Sequence, residues 1–306
     1  MPCFDKLTIN QPDDYEGPVV CTLLRKPTNT NTGKAVLYVH GFNDYFFNSE
    51  IADCFTTQGF NFYALDLRKS GRSLLPLQKL NNLRNINEYF EDISAALKIM
   101  ADEGCTKLLL YGHSMGGLVT ALYVSQYEGN GLIKAVFLNS PFFEMNENWI
   151  TRKLLVPLVS VLARTMPNVP VPGRFSRFYG PSLHESQYGE WAYNLNWKPH
   201  MMPLVNMGWI RAVYHAQNQV KKGIIIKQAV MMMCPVKSVK GRKWNDAFRY
   251  GDAILNVDDM IKYARGIKGN CEIITLEGAV HDVMLSVQPV RQEAFQILLE
   301  WVNKVM

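Results

Sequence analysis

Gly112-His113-Ser114-Met115-Gly116 links an apolar run, 107–111, to a segment with helical spacing, and a serine in that setting can act as a nucleophile. In a G-x-S-x-G pentapeptide between strand and helix, the serine sits on a turn sharp enough to lift its hydroxyl clear of the sheet. Small flanking residues are a steric need there, and Gly117 extends the room. A serine hydroxyl is a poor nucleophile until a base takes its proton, and the base needs an acid to fix its tautomer and stabilise the imidazolium. Of the six histidines, only His281 follows the last strand-length run and precedes the last helical segment, so it is the expected base. His40 and His113 belong to backbone motifs, and His184, His200 and His215 fall in or at the end of a proline-rich segment and are expected at the surface.

Acyl transfer also needs donors aimed at the developing oxyanion. Two backbone amides are expected to supply them: that of Met115, at the positive end of the helix that begins after the serine, and that of Phe42, in the His40-Gly41-Phe42 turn after an apolar strand. The acid is less clearly marked. The loop after the run 229–234 holds no carboxylate, and farther on Asp252 is the first choice with Asp258 behind it. Asp258 and Asp259 read more simply as acidic residues at a helix start.

These residues need a scaffold that brings strand ends together. Strand-length apolar runs recur at 35–39, 60–65, 107–111, 133–138, 229–234 and 271–276, with helical spacing at 46–58, 87–104, 115–128, 257–265 and 288–304. Alternating strands and helices predict an α/β fold with a mostly parallel, doubly wound sheet, and near-continuous apolar strands agree because such strands are covered on both faces. Residues 17–25 add an antiparallel strand at the edge. From Pro141 to about Lys222 the alternation stops: prolines recur, four of the six tryptophans (Trp149, Trp191, Trp197, Trp209) gather, and no clear strand is visible. The expected domains are a core of 1–140 and 223–306 and an inserted cap, 141–222, whose aromatics either form their own small core or line a pocket above Ser114.

At 306 residues, 48% hydrophobic and 19% charged, the chain can bury a sizeable core, and neither disorder nor a coiled coil is favoured. No secretory signal or bilayer-spanning run is visible, which makes a cytoplasmic protein the expectation. The six cysteines (Cys3, Cys21, Cys54, Cys105, Cys234, Cys271) are scattered, with no metal-ligand spacing, and read as reduced core residues; no metal and no cofactor is expected. Net charge is +5, unevenly spread: residues 151–250 hold 15 Lys and Arg against 3 Asp and Glu, and the rest holds 17 against 24. The basic middle is either a solvated surface or a device that attracts an anionic substrate or lipid headgroups, giving transient contact with a membrane surface. Its basic residues are dispersed, so no nucleic-acid partner is expected.

Taken together the chain resembles the α/β-hydrolase superfamily, and within it the monoacylglycerol lipases and lysophospholipases. The resemblance rests on His40-Gly41, on Asp66-Leu67-Arg68-Lys69-Ser70-Gly71-Arg72-Ser73 (similar to the family's D-x-R-G-H-G-x-S loop), on 112–117, and on Gly278-Ala279-Val280-His281-Asp282. It implies an α/β-hydrolase fold with a cap, a nucleophile at Ser114, a base at His281 and oxyanion amides at Phe42 and Met115. In that family the acid precedes an apolar residue and a helix and lies about thirty residues before the histidine, which Asp252 satisfies. Lys69-Ser70 departs from the pattern without touching Asp66 and Arg68, which look structural. An insertion, Lys240-Gly-Arg-Lys-Trp-Asn245, lengthens the acid loop and is expected to bring basic groups to the site mouth. The implied activity is hydrolysis of a lipid ester with one acyl chain through an acyl-enzyme. A peptidase of the same fold is the rival; it needs cap carboxylates for a substrate amine, and 141–222 offers only Glu144, Glu147, Glu185 and Glu190. A non-catalytic binding protein is a third reading, against which intact Ser114 and His281 weigh.

Overall fold

The apolar runs become the strands of one twisted sheet in the computed structural model, which describes residues 4–30, 32–127, 131–171, 176–201 and 203–306. In chain order the strands are β1 (Asp5–Asp14), β2 (Gly17–Lys26), β3 (Lys34–Val39), β4 (Asn61–Asp66), β5 (Lys107–His113), β6 (Ile133–Asn139), a two-residue pair β7 (Pro170–Val171) and β8 (Val205–Asn206), then β9 (Ala229–Pro235) and β10 (Cys271–Leu276). Eight of them form a sheet in the order β1-β2-β4-β3-β5-β6-β9-β10. β3 to β10 pair in parallel within it, and the β1–β2 hairpin joins antiparallel through β2 on β4. The strand order reverses at β3, so β3 and β5 open their carboxyl ends onto a shared crevice, the place where such sheets bind ligands.

The helices are α1 (Ser49–Thr56), α2 (Asn87–Asp102), α3 (Met115–Gln126), α4 (Val156–Leu162), α5 (Tyr179–Leu183), α6 (Met207–Lys221), α7 (Val257–Ala264) and α8 (Gln288–Val305). One face of the sheet is covered through Phe90, Leu118, Val213 and Met260 of α2, α3, α6 and α7, and the other through Phe55, Leu298 and Trp301 of α1 and α8. α3 is buried from Met115 to Val124, which explains why it shows no polar stripe. The doubly wound α/β architecture of the sequence analysis is therefore the one observed.

Three details differ. The edge strand is β1 rather than 17–25, which is the second strand; β1 alternates polar and apolar side chains, half-exposed along its length, with a register shift between Gln11 and Asp14 that spans Pro12. The segment after β6 holds the short β7–β8 ladder. And α6, inside the stretch expected as an insertion, buries Trp209, Ala212, Val213, Ala216 and Val220 in the same cluster as the sheet. The five described cysteines are free thiols, three of them buried, and Cys3 lies outside the described residues.

Candidate active site

Between β5 and α3 the chain turns at Ser114 with φ 52° and ψ −111°, a left-handed backbone that a serine adopts only under constraint. The constraint is steric. A Cβ at Gly112 would overlap Thr120 Oγ1 and the Gly116 carbonyl, and one at Gly116 would overlap the carbonyl oxygens of Val39 and His40. The strand and helix thus approach too closely for side chains, and the turn between them projects Ser114 into the crevice.

His281 Nε2 lies 3.0 Å from Ser114 Oγ, and His281 Nδ1 lies 2.7 Å from Asp252 Oδ2. An ionised carboxylate only accepts, so the proton sits on Nδ1 and the Nε2 lone pair faces the serine hydroxyl. Asp252 is oriented in turn, because its Oδ1 accepts the amides of Ile254 at 2.8 Å and Leu255 at 2.7 Å. All three residues are buried. Asp258 is elsewhere: it is exposed in the first turn of α7, whose N-cap is Asn256, and neighbouring Asp259 pairs with Arg152 at 2.7 Å.

The turn that carries Phe42 is fixed by His40, whose Nδ1 donates to the Gly41 carbonyl at 2.7 Å while Nε2 accepts the Leu67 amide at 3.0 Å. A Cβ at Gly41 would stand 3.1 Å from that of Ser114, so this turn runs directly beside that serine. Met115 opens α3, where the first amides have no acceptor within the helix. Both amides are therefore on segments that border Ser114.

A buried polar layer lies under His281. Asp282 accepts from Asn139 Nδ2 at 2.7 Å and from the Met284 amide at 3.1 Å, its own amide donates to the Tyr179 hydroxyl, and burial holds its carboxyl above the usual range. His113 Nδ1 is 3.3 Å from the Asn139 carbonyl; burial, with His281 close by, pulls this histidine down to about 3, so it is neutral. Arg68 pairs with Asp92 through two nitrogens, and Asp66 accepts the Phe46 amide and Arg72 Nη1, which ties down the loop after β4. Lys69 is fully buried between Asp14 and Glu16 of the first hairpin.

Ser114 and His281 open into a cavity of about 70 Å³, the space open to the centre of a water-sized sphere, and Phe142 and Ile254 of its wall also line a larger apolar cavity of about 380 Å³. Val156, Val159, Val171, Val205 and Trp209 line this second space. Of the cap tryptophans, Trp209 therefore lines a pocket, Trp191 and Trp197 pack with Tyr45 and Phe47, and Trp149 is exposed. The inserted Lys240–Asn245 stretch contributes no residue to the wall of the Ser114 cavity, and its Trp244 stacks on Tyr188. His184 and His200 are not surface residues, since the first is buried against Ser186 and Tyr193 and the second lines the cavity. Residues not foreseen from sequence are Asn43, Asp44, Tyr179 and Lys198 on the cavity wall. Only the first two had a local signal, their place just after the Gly41-Phe42 turn. Among the described residues no group of His, Cys, Asp or Glu is placed to hold a metal ion.

Fold and site together define an α/β-hydrolase. The family model described as serine aminopeptidase, S33, matches residues 30–233, and the chain belongs to that family. A curated monoacylglycerol lipase of Mycolicibacterium smegmatis is 30% identical over 145 residues, 47% of this chain and 49% of its own length, so the chain spans about half the length of that relative. Among solved structures, a soluble variant of the monoglyceride lipase of Saccharomyces cerevisiae, in complex with a substrate analog, aligns with TM-score 0.69 at 15% identity over 99% of this chain and 97% of that one. The monoacylglycerol lipase of Paleococcus ferrophilus aligns with TM-score 0.70 at 18% identity over 93% and 99%. At such identities the likeness is one of fold.

Proposed function

We propose that the protein is a serine carboxylic-ester hydrolase acting on lipids with a single acyl chain, a monoacylglycerol first and a lysophospholipid second. The observation that carries this reading is a relay from Asp252 through His281 to Ser114 at 2.7 and 3.0 Å, opening into a cavity whose wall residues Phe142 and Ile254 also line an apolar cavity of about 380 Å³. Ser114 Oγ attacks the ester carbonyl as His281 Nε2 takes its proton. The oxyanion is held by the amides of Phe42 and Met115, and Asp252 stabilises the imidazolium. Collapse expels the alcohol with the proton from His281, and a water activated by the same histidine releases the fatty acid. The acyl chain occupies the apolar cavity. These steps use the chain's own side chains and amides together with water.

In this reading the cap is 141–206, with α6 counted in the core. The fold of the cap also bears on partners. Thr151–Leu155 forms a turn of π-helix that runs into α4, and Pro157 has no amide for the Lys153 carbonyl, which accounts for the irregular turn. Its outer side carries Trp149, Ile150, Leu154, Leu158, Val161 and Leu162, all exposed, with Trp149 at 68%. Exposed Lys153 lies within this segment and exposed Arg164 follows it, and Lys153 shares a cavity wall with exposed Lys222 and Lys262. Apolar surface with a cationic rim suits transient contact with an anionic membrane surface. Among the described residues no helix is long and apolar enough to cross a membrane.

The peptidase alternative finds less support. Of the four cap glutamates, Glu144 pairs with Lys221 and Glu190 with Arg291, and none lines the Ser114 cavity. The decisive assay sets a chain-length series of p-nitrophenyl esters and a monoacylglycerol beside an aminoacyl anilide. Cleavage of the anilide with a higher kcat/KM than any ester would overturn the esterase reading.

A further inference from the structure

β10 is the outermost strand of the sheet, so the loop that leaves it with His281 has a strand neighbour on one side only. The core holds this loop through Asn139 and Asn48. Asn139 Nδ2 donates to Asp282 Oδ1 at 2.7 Å, its Oδ1 accepts the Val283 amide at 3.2 Å, and Asn48 Nδ2 donates to the Met284 carbonyl at 3.2 Å. Two further bonds come from the cap. The Tyr179 hydroxyl accepts the amide of Asp282, the residue after the base, at 3.0 Å, and Trp191 Nε1 donates to the Leu285 carbonyl at 2.8 Å. Both residues belong to one folded unit, α5 and the turn after it, which the Trp191 amide closes on the Leu183 carbonyl at 2.9 Å. Arg291 completes the contact: it pairs with Glu190 of that turn, donates to the Ser286 carbonyl of the loop at 3.2 Å and stands 4.9 Å from the centre of the Trp191 ring. The imidazole of His281 has the His113 ring of the core at 5.1 Å and the Tyr179 ring of the cap at 5.7 Å, the latter in an edge-to-face arrangement.

We propose that Tyr179 and Trp191 are positioning residues for His281, so that the relay is aligned only while the cap unit 179–191 is seated on the loop of the base. The proposal rests on the relay and the esterase reading above. Its physical ground is how little displacement the chemistry tolerates: His281 Nε2 must meet Ser114 Oγ while Nδ1 keeps Asp252, and a shift of about 1 Å in such a group costs about 10²-fold. Asp282 and Leu285 are both buried, and a buried amide or carbonyl without a partner is costly enough to move the loop. Among the described residues neither cap side chain hydrogen-bonds a relay atom, so their effect on the reaction runs through the loop. Tyr179 also lines the cavity at Ser114, which means that a ligand there touches the same unit that places the base. The cap then acts on the chemistry as well as on access to it.

Tyr179→Phe and Trp191→Phe each keep a ring in place and remove one bond to the loop. They are measured singly and together on a dissolved short-chain p-nitrophenyl ester, and by the low-field proton resonance of the His281–Asp252 hydrogen bond. Trp197→Phe is the control, a cap tryptophan that packs on Tyr45 rather than on the loop. His281 acts in acylation and in deacylation, so kcat reports on it whichever step limits. Each single variant should lower kcat by about 3- to 10-fold, the factor for one lost hydrogen bond, with KM within about twofold, and the double variant by about 10- to 100-fold. The resonance should weaken or shift in these variants well below their Tm, and stay as in the wild type in the control. Unchanged kcat and resonance in the double variant overturn the inference. So does a lowered Tm with the resonance unmoved, which marks the pair as packing, and so does a raised KM at unchanged kcat, which marks Tyr179 as a substrate contact. If the wild type cleaves no ester and takes no fluorophosphonate label, the esterase reading fails, and the resonance still decides whether the cap places the base.

Discussion

Ser114 carries both the strained backbone and the hydroxyl that faces His281 Nε2 at 3.0 Å, so its removal separates chemistry from fold. Ser114→Ala should lower kcat by on the order of 10⁶ and abolish fluorophosphonate labelling while circular dichroism is unchanged. The acid is tested by a pair of variants. Asp252 holds Nδ1 at 2.7 Å and is itself anchored by two amides, so Asp252→Asn should cost roughly 10⁴ in kcat, the scale for losing the tautomer-fixing group. Asp258, exposed on α7, should cost less than about tenfold as Asp258→Asn. A reversed ranking would reassign the acid. His113 makes a different prediction, on stability. Its buried ring is pulled from 6.5 down to about 3, so between those values the unfolded chain holds a proton that the folded protein lacks. Stability therefore rises with pH across that window and is lost as pH falls through it, at about 1.4 kcal/mol per unit. Tm measured from pH 7 to pH 4 should fall less steeply in His113→Gln than in the wild type.

At the scale of elements, the site depends on how closely β5 and α3 approach. A methyl group at Gly116 would overlap two carbonyl oxygens of the β3 end, and backbone cannot swing aside as a side chain can. Gly116→Ala should destabilise by more than about 3 kcal/mol, read as lost Tm or as insoluble protein. Gly131→Ala, where an added Cβ meets nothing, is the control. The same closeness explains what was legible in the sequence. Parallel strands covered on both faces appear as unbroken apolar runs, and the elbow needs glycines at fixed spacing, so six strands, five helices and the positions of Ser114 and His281 could be read locally. Asp252 could be ranked but not separated from Asp258 by local chemistry, because its role depends on a contact 29 residues along the chain. β1 escaped because an edge strand needs little apolar surface. Lys198 escaped for a stronger reason: its partner Asp44 is on another element, and no period or motif links a cap lysine to a loop after β3.

For the whole molecule, one helical segment separates two apolar environments. Val156 and Val159 line the larger apolar cavity, while Trp149, Leu154, Leu158 and Val161 of the same segment are exposed, Leu158 at 56%, and Leu155 borders both. A lipid that leaves a bilayer at this surface would have only that segment to pass. Burying one such side chain in the interface is worth about 1.5–3 kcal/mol and each nearby cation about 1 kcal/mol at an anionic surface, so the apolar ridge and its rim contribute comparably. The protein should therefore sediment with vesicles containing anionic lipid, less with purely zwitterionic ones, and less again as salt is raised, because the screening length shrinks. Trp149→Ala combined with Leu158→Ser removes two ridge side chains that line neither cavity and should weaken vesicle binding by about tenfold or more. The same variant should lose activity on monoacylglycerol presented in vesicles more than on a dissolved short-chain p-nitrophenyl ester, because only the first substrate has to be collected from a surface. Equal activity losses on the two substrates, with vesicle binding intact, would show that the exposed ridge serves the packing of the cap and not its contact with lipid.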